Sequence, residues 1–128
     1  MRILIIEDDK FFQNFYALKL TEQGFVIDVA SDGEEGLQKL HTTKPDLILL
    51  DLIMPKKDGF QILEAMSKDP TLKKIPVLVF STLGQEQDIE KAKKLGAVDY
   101  INKSFFDFTN LIAKINGILQ KGQVRNTQ

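Results

Sequence analysis

The sequence predicts an α/β fold, a three-layer, doubly wound (βα)5 arrangement in which a parallel five-stranded sheet carries helices on both faces. Three observations predict it. Five short runs rich in Ile, Leu and Val recur along the 128 residues, and continuous apolar runs this brief are how strands buried on both faces read. Between them, apolar residues repeat at helical spacing. The length matches one domain at roughly 150 residues per domain, and alternating strands and helices imply right-handed parallel crossovers.

Strand one is Ile3–Ile6, and Asp9 is placed to cap the helix that follows. Phe11, Phe15 and Leu18 stand at i, i+4 and i+7 and are read as that helix's apolar stripe. Gly24 follows as a left-handed cap, then strand two over Phe25–Val29. Ser31 with Glu34 forms a capping box for helix two, which carries Leu37 and Leu40 and ends near His41, a residue suited to capping the last carbonyls. Pro45 precedes strand three, Leu47–Leu50, and Ile62, Leu63 and Met66 mark helix three. Pro76 precedes strand four, Val77–Phe80. Helix four carries Ile89, Ala92 and Leu95 and is closed by Gly96, and strand five is Val98–Ile101. Phe108, Leu111, Ile112, Ile115 and Leu119 line helix five. Periodicity then fades, so the domain is expected over 1–120, with a frayed tail over 121–128.

Composition removes several functional classes. Seventeen basic against eighteen acidic residues, a net charge of −1, leave no global basic field for direct nucleic-acid binding. The lysine groups Lys56-Lys57, Lys73-Lys74 and Lys91, Lys93, Lys94 read as solvated faces. Without cysteine, thiol catalysis and Cys-ligated zinc are excluded. The apolar runs fall far short of the roughly 20 residues that span a bilayer. Met1-Arg2 leads straight into strand one without a signal-peptide pattern, so a cytoplasmic chain is expected, with no membrane partner.

In an open parallel sheet, ligands bind beyond the carboxyl ends of the strands. Strand one ends in Glu7-Asp8-Asp9, strand three in Asp51, strand four in Ser81-Thr82, and strand five runs through Asn102 to Lys103. Were Glu7, Asp8 and Asp51 gathered about 4–5 Å apart, each like-charge pair would cost about 3–4 kcal/mol at an effective dielectric near 20, before screening. Such a cluster must protonate or hold a cation. All-oxygen ligands favour Mg²⁺ or Mn²⁺, which share phosphate oxygens with carboxylates. Lys103 adds a point charge and Ser81 a hydroxyl donor for the remaining oxygens, so the edge is suited to a phosphoryl group.

Ile3-Leu4-Ile5-Ile6-Glu7-Asp8, Asp46-Leu47-Ile48-Leu49-Leu50-Asp51-Leu52-Ile53-Met54-Pro55 with Asp58-Gly59, Val77-Leu78-Val79-Phe80-Ser81-Thr82 and Gly96-Ala97-Val98-Asp99-Tyr100-Ile101-Asn102-Lys103 occur in that order. Asp8 to Asp51 is 43 residues, Asp51 to Ser81 is 30, and Ser81 to Lys103 is 22. Over about residues 2–120 the chain resembles a response regulator receiver domain of two-component signalling, a flavodoxin-like fold of strand order 2-1-3-4-5. The resemblance implies that Asp51 accepts a phosphoryl group from the phosphohistidine of a sensor histidine kinase or phosphotransfer protein. It implies that Glu7, Asp8, Asp51 and the Ile53 backbone carbonyl hold Mg²⁺, and that Lys103 and Ser81 bind phosphoryl oxygens. Ser81, Thr82 and Tyr100 would then form a switch acting on helix four, strand five and helix five. That surface would meet an output protein, with the chain monomeric or weakly dimeric through it.

Ser104 departs from the family, which usually has a proline there in a cis bond. A cis bond to serine would cost about 3–4 kcal/mol, so a trans bond with Lys103 still reaching is expected. Ile53 and Leu83 flank the approach of water to the phosphoryl group and cannot hydrogen-bond it, which predicts slow hydrolysis. Phe105-Phe106 cannot both face one core stripe, so one is expected to meet a partner. A haloacid-dehalogenase-type phosphohydrolase would want a second Asp where Ile53 stands. A flavodoxin-type flavin carrier would want hydroxyls where Glu7-Asp8-Asp9 stand. A receiver-like module that is never phosphorylated has only Ser104 in its favour. The expected activity is that of a phosphoacceptor rather than a turnover enzyme.

Overall fold

The computed structural model describes residues 1–54, 58–82, 85–104 and 107–127, with side chains through residue 121. Expectations for Pro55, Lys56, Lys57, Leu83, Phe105 and Phe106 lie outside the described residues. The strands are β1 (Arg2–Ile6), β2 (Val26–Ala30), β3 (Leu47–Leu50), β4 (Val77–Ser81) and β5 (Asp99–Asn102). The helices are α1 (Lys10–Glu22), α2 (Gly33–Thr43), α3 (Gly59–Ser67), α4 (Glu86–Lys94) and α5 (Phe108–Thr127), with a 3₁₀ turn at Leu72–Lys74. All strand pairs are parallel and the sheet order is β2-β1-β3-β4-β5.

Period-two alternation sorts the central strands between two cores. Leu4, Ile6, Ile48, Leu50, Val77 and Val79 face α2, α3 and α4, where Leu40, Ile62, Leu63, Met66 and Ala92 close one layer. Ile3, Ile5, Leu47, Leu49, Leu78 and Phe80 face α1 and α5, meeting Tyr16, Leu20, Leu111, Ile115 and Leu119. The pairings Ile6↔Leu50 and Ser81↔Asn102 bring the strands' carboxyl ends level at one edge.

The stripe expected for α1 is corrected: Phe11 is 71% exposed, Leu18 60% and Phe15 37%. Helix α1 buries Gln13, Tyr16 and Leu20 instead, with Phe12 and Ala17 packed beside them. Its apolar residues lie on both faces, so spacing alone admits two stripes about one residue apart. The cap of α2 also shifts by one. Asp32, not Ser31, accepts from the Glu35 N–H at 2.9 Å, and the Glu35 carboxylate reaches back to the Ser31 N–H. Gly24 and Gly96 adopt φ of 95° and 115°, as a left-handed helix end requires. Helix α5 runs on to Thr127, past the periodicity break expected at Gln120. Residues 120–125 include Gln, Lys and Arg, which favour helix without an apolar stripe.

One close approach shapes the site. The Gly59 N–H donates to the Leu52 carbonyl at 3.0 Å, and a Cβ at Gly59 would lie 2.6 Å from the Asp51 carbonyl oxygen. Asp58 caps α3 here in a full capping box with Gln61, fixing the helix start against the β3 loop.

Candidate functional site

β1 delivers Glu7, whose N–H donates to the Ala30 carbonyl, and β3 delivers Asp51, whose N–H donates to the Ile6 carbonyl at 3.1 Å. Asp8 follows on the loop and is exposed. Carboxylate oxygens of Glu7, Asp8 and Asp51 lie within 4.8 Å of one another, close enough to hold one metal ion. Asp9 is spent elsewhere, accepting from the Phe11 and Phe12 N–H groups as the α1 N-cap. Asp51 Oδ1 accepts from the Ile53 N–H at 3.2 Å, and the Ile53 side chain is 49% exposed beside it.

Lys103 reaches the cluster across the sheet. Its N–H donates to the Ser81 carbonyl at 2.9 Å, and its ammonium pairs with Glu7 Oε1 and with Asp51 Oδ2, the latter at 3.2 Å. Only 6% of its side chain is exposed. Among the described residues there is no cis peptide bond, so the Lys103–Ser104 bond is trans, and the Ser104 N–H donates to Asn102 Oδ1 at 2.8 Å. The lysine therefore reaches without proline, as expected.

The crowding of the carboxylates is met from within the chain. Lys103 supplies a cation, and burial pushes the Glu7 carboxyl up to about 7, opposed by the Lys103 hydrogen bond and reinforced by the Asp51 charge. The folded chain thus keeps a proton on Glu7 that the unfolded chain releases near the ordinary carboxylate value. Through the window from there to about 7, stability falls as pH rises. Thermal melts without added divalent metal are expected to show this slope, and Glu7→Gln is expected to flatten it; an identical slope in the variant would refute the assignment.

Ser81 is fully buried at the end of β4, and its side chain shares a hydrogen bond with the Tyr100 phenol. Burial, helped by the Asp88 and Asp51 charges, raises the Tyr100 phenol, against that hydrogen bond. Tyr100 is half-buried on β5 against the α2–α4 core, whereas Thr82 is exposed just past β4. The structure thus gathers Glu7, Asp8, Asp51 and Lys103 into one cluster and leaves Ser81 and Tyr100 as a linked pair on the neighbouring strands.

Sequence reasoning missed the groups behind the cluster. Gln13 is buried, its amide donating to the Glu7 carbonyl at 2.9 Å and to Ser31 Oγ at 3.2 Å, so it fixes the β1 loop against the end of β2. Phe12 and Tyr16 lie on the same helix face. The available signal was the second periodicity of α1, through Phe12, Tyr16 and Leu20.

Comparison with known proteins matches this geometry. The family described as the response regulator receiver domain covers residues 3–116. The transcriptional activator protein IrlR of Burkholderia pseudomallei is 39% identical over 127 residues, spanning 99% of this chain and 54% of that protein. RpaA of Synechocystis, a DNA-binding dual master transcriptional regulator, is 37% identical over 120 residues, 94% of this chain and 49% of its own length. The chain therefore spans about half the length of these curated relatives. The Francisella response regulator 1452 receiver domain superposes with a TM-score of 0.88 at 30% identity, covering 94% of this chain and 98% of that one. The BeF3-activated receiver domain of Klebsiella pneumoniae RstA gives 0.86 at 25% identity, covering 93% and 98%. Among the described residues, no helix is long and apolar enough to cross a membrane. With its strand order, acidic cluster and these relatives, the chain belongs to the response regulator receiver family and is a receiver domain of two-component signalling.

Proposed function

We propose that Asp51 is the phosphoacceptor. An Asp51 carboxylate oxygen attacks the phosphorus of a histidine kinase's or phosphotransfer protein's phosphohistidine. The new O–P bond forms as the N–P bond breaks, and the electron pair returns to the imidazole nitrogen. Glu7, Asp8 and Asp51, with the Ile53 backbone carbonyl, would hold Mg²⁺ or Mn²⁺, and three oxygen-donor side chains within reach of one point fit such a hard cation. A bound divalent ion supplies neutralisation of phosphoryl charge. Lys103 contributes the same from the protein side, and Ser81 offers a hydroxyl once it moves toward the phosphoryl oxygens. Transfer of this kind needs positioning and charge stabilisation more than covalent help, so the chain is read as a phosphoacceptor rather than a turnover enzyme.

The observation that carries this reading is the acceptor carboxylate held at 3.2 Å from a buried ammonium and beside two further carboxylates. Incubation with acetyl phosphate should add one phosphoryl group by intact-mass spectrometry with Mg²⁺ present and none with chelator. Absence of the adduct, or its indifference to metal, would overturn the proposal. The phosphoryl group would carry about −1.5 to −2 where the carboxylate carried −1, and its three acceptor oxygens would draw Ser81 and bias the α4–β5–α5 surface through Tyr100, where an output protein or a second copy would dock. The names of the curated relatives support a transcriptional output for a protein carrying this domain.

Lifetime is governed by Ile53, which offers an attacking water no hydrogen-bond partner; the companion residue Leu83 lies outside the described residues. Ile53→Asn is expected to speed phosphoryl loss about fivefold, the worth of one modest hydrogen bond. The decay of the intact-mass adduct after desalting measures it, and an unchanged rate would count against the role.

A further inference from the structure

Three aromatic rings meet where Lys103 enters the cluster. Its ammonium lies 4.9 Å from the centroid of Phe12 and 5.7 Å from that of Phe80, both within the distance at which a ring face attracts a cation. Tyr16 joins the two rings, stacked on Phe12 at 5.9 Å and 11°, and meeting Phe80 edge-on at 4.9 Å and 85°. Phe80 and Tyr16 are buried, and Phe12 is placed by the α1 N-cap, whose Asp9 carboxylate accepts from the Phe12 N–H. The ammonium is therefore bounded by two carboxylates and two ring faces.

We propose that Phe12 and Phe80 form an aromatic cage for the Lys103 ammonium and that Phe12 is a positioning residue for phosphoryl transfer. Carboxylates alone would pull the lysine onto Glu7 and Asp51, the oxygens a divalent cation also needs. Ring faces attract an ammonium without offering oxygen ligands. They hold Lys103 at the site whether or not Glu7 and Asp51 are engaged. A leucine at position 12 would fill much of the same space but present no negative face, which separates the cage from packing alone.

This inference rests on Asp51 being the acceptor, so one arm of its test needs no phosphorylation. In proton NMR of the metal-free wild type, the Lys103 ε-methylene signals should be shifted upfield by the ring currents, and Phe12→Leu should return most of that shift; Phe12→Met substitutes should Phe12→Leu not fold. Unshifted wild-type signals would overturn the cage. In the second arm, at saturating Mg²⁺ and acetyl phosphate, Phe12→Leu should slow phosphorylation about thirtyfold, the scale of a desolvated cation–π contact. Phe12→Tyr, which keeps the ring face, should restore most of the rate. Equal rates for the leucine and tyrosine variants would overturn the positioning role. A wild type that takes no phosphoryl group but shows the upfield shift would instead overturn the acceptor reading, and with it the cage's part in transfer.

Discussion

Asp51→Asn is expected to abolish phosphoryl incorporation while leaving the domain folded. The amide lacks the anionic oxygen that attacks phosphorus, but its carbonyl can still accept from the Ile53 N–H, as Asp51 Oδ1 does. Two electrostatic changes oppose each other. One partner of Lys103 is lost, and one source of repulsion on Glu7 is removed. At an effective dielectric near 20 the lost attraction across 3.2 Å is about 5 kcal/mol and the relieved repulsion is smaller, about 3–4 kcal/mol, so the variant should be less stable by about 1–2 kcal/mol. The Glu7 carboxyl should titrate lower in the variant because the Asp51 charge no longer pushes it up. Intact mass, a thermal melt and carboxyl NMR titration check the three outcomes. An adduct persisting in Asp51→Asn would move the acceptor elsewhere.

Lys103→Ala should produce the largest loss of stability at this edge. Removing one partner of a buried ion pair costs about 3–5 kcal/mol because the other charge is left uncompensated. Here two carboxylates, Glu7 and Asp51, lose their ammonium at once. The penalty should shrink as pH falls toward about 7, because Glu7 in the variant, freed of the Lys103 hydrogen bond and charge that lower it, takes up its proton above that value. Added Mg²⁺ should restore stability in proportion to its binding, as any ligand of the native state does. Phosphorylation should still slow about 100-fold, the usual effect of losing one group that stabilises transition-state charge. Urea melts at two pH values, with and without Mg²⁺, test the stability claims; a variant as stable as the wild type at pH 8 would show that the ammonium is not what balances the carboxylates.

The strands and the site's acidic edge were readable because both rest on short-range rules. Runs such as Leu47–Leu50 have no polar face and are too short for a buried helix, and a parallel sheet presents whatever follows each strand at one end. Glu7, Asp8, Asp51 and Lys103 were placed together on that basis, and the structure brings them together. Helix α1 was different. Phe11, Phe12, Phe15 and Tyr16 are all aromatic, so its facing was decided by the fit of Tyr16 against Phe80 and of Gln13 against Ser31 at the end of β2, contacts between residues far apart in sequence. The proximity of Phe12 to Lys103 belongs to the same class and has no local signature. The shift of the α2 cap from Ser31 to Asp32 is smaller: two adjacent residues could both cap, and the chain's exit from β2 selects between them.

The glycine at the start of α3 has a mechanical consequence. Because Gly59 abuts the peptide group of Asp51 with no room for a methyl group, the first turn of α3 sits directly against the acceptor's own backbone. The next residue, Phe60, lies 4.4 Å beneath the Lys91 ammonium of α4. A path therefore runs from the acceptor to α4 through two contacts, Gly59 against the Asp51 peptide and Phe60 beneath Lys91, with no flexible side chain at its inner joint. Tension applied to α4 by a docked protein would be felt at the carboxylate as a change in tilt.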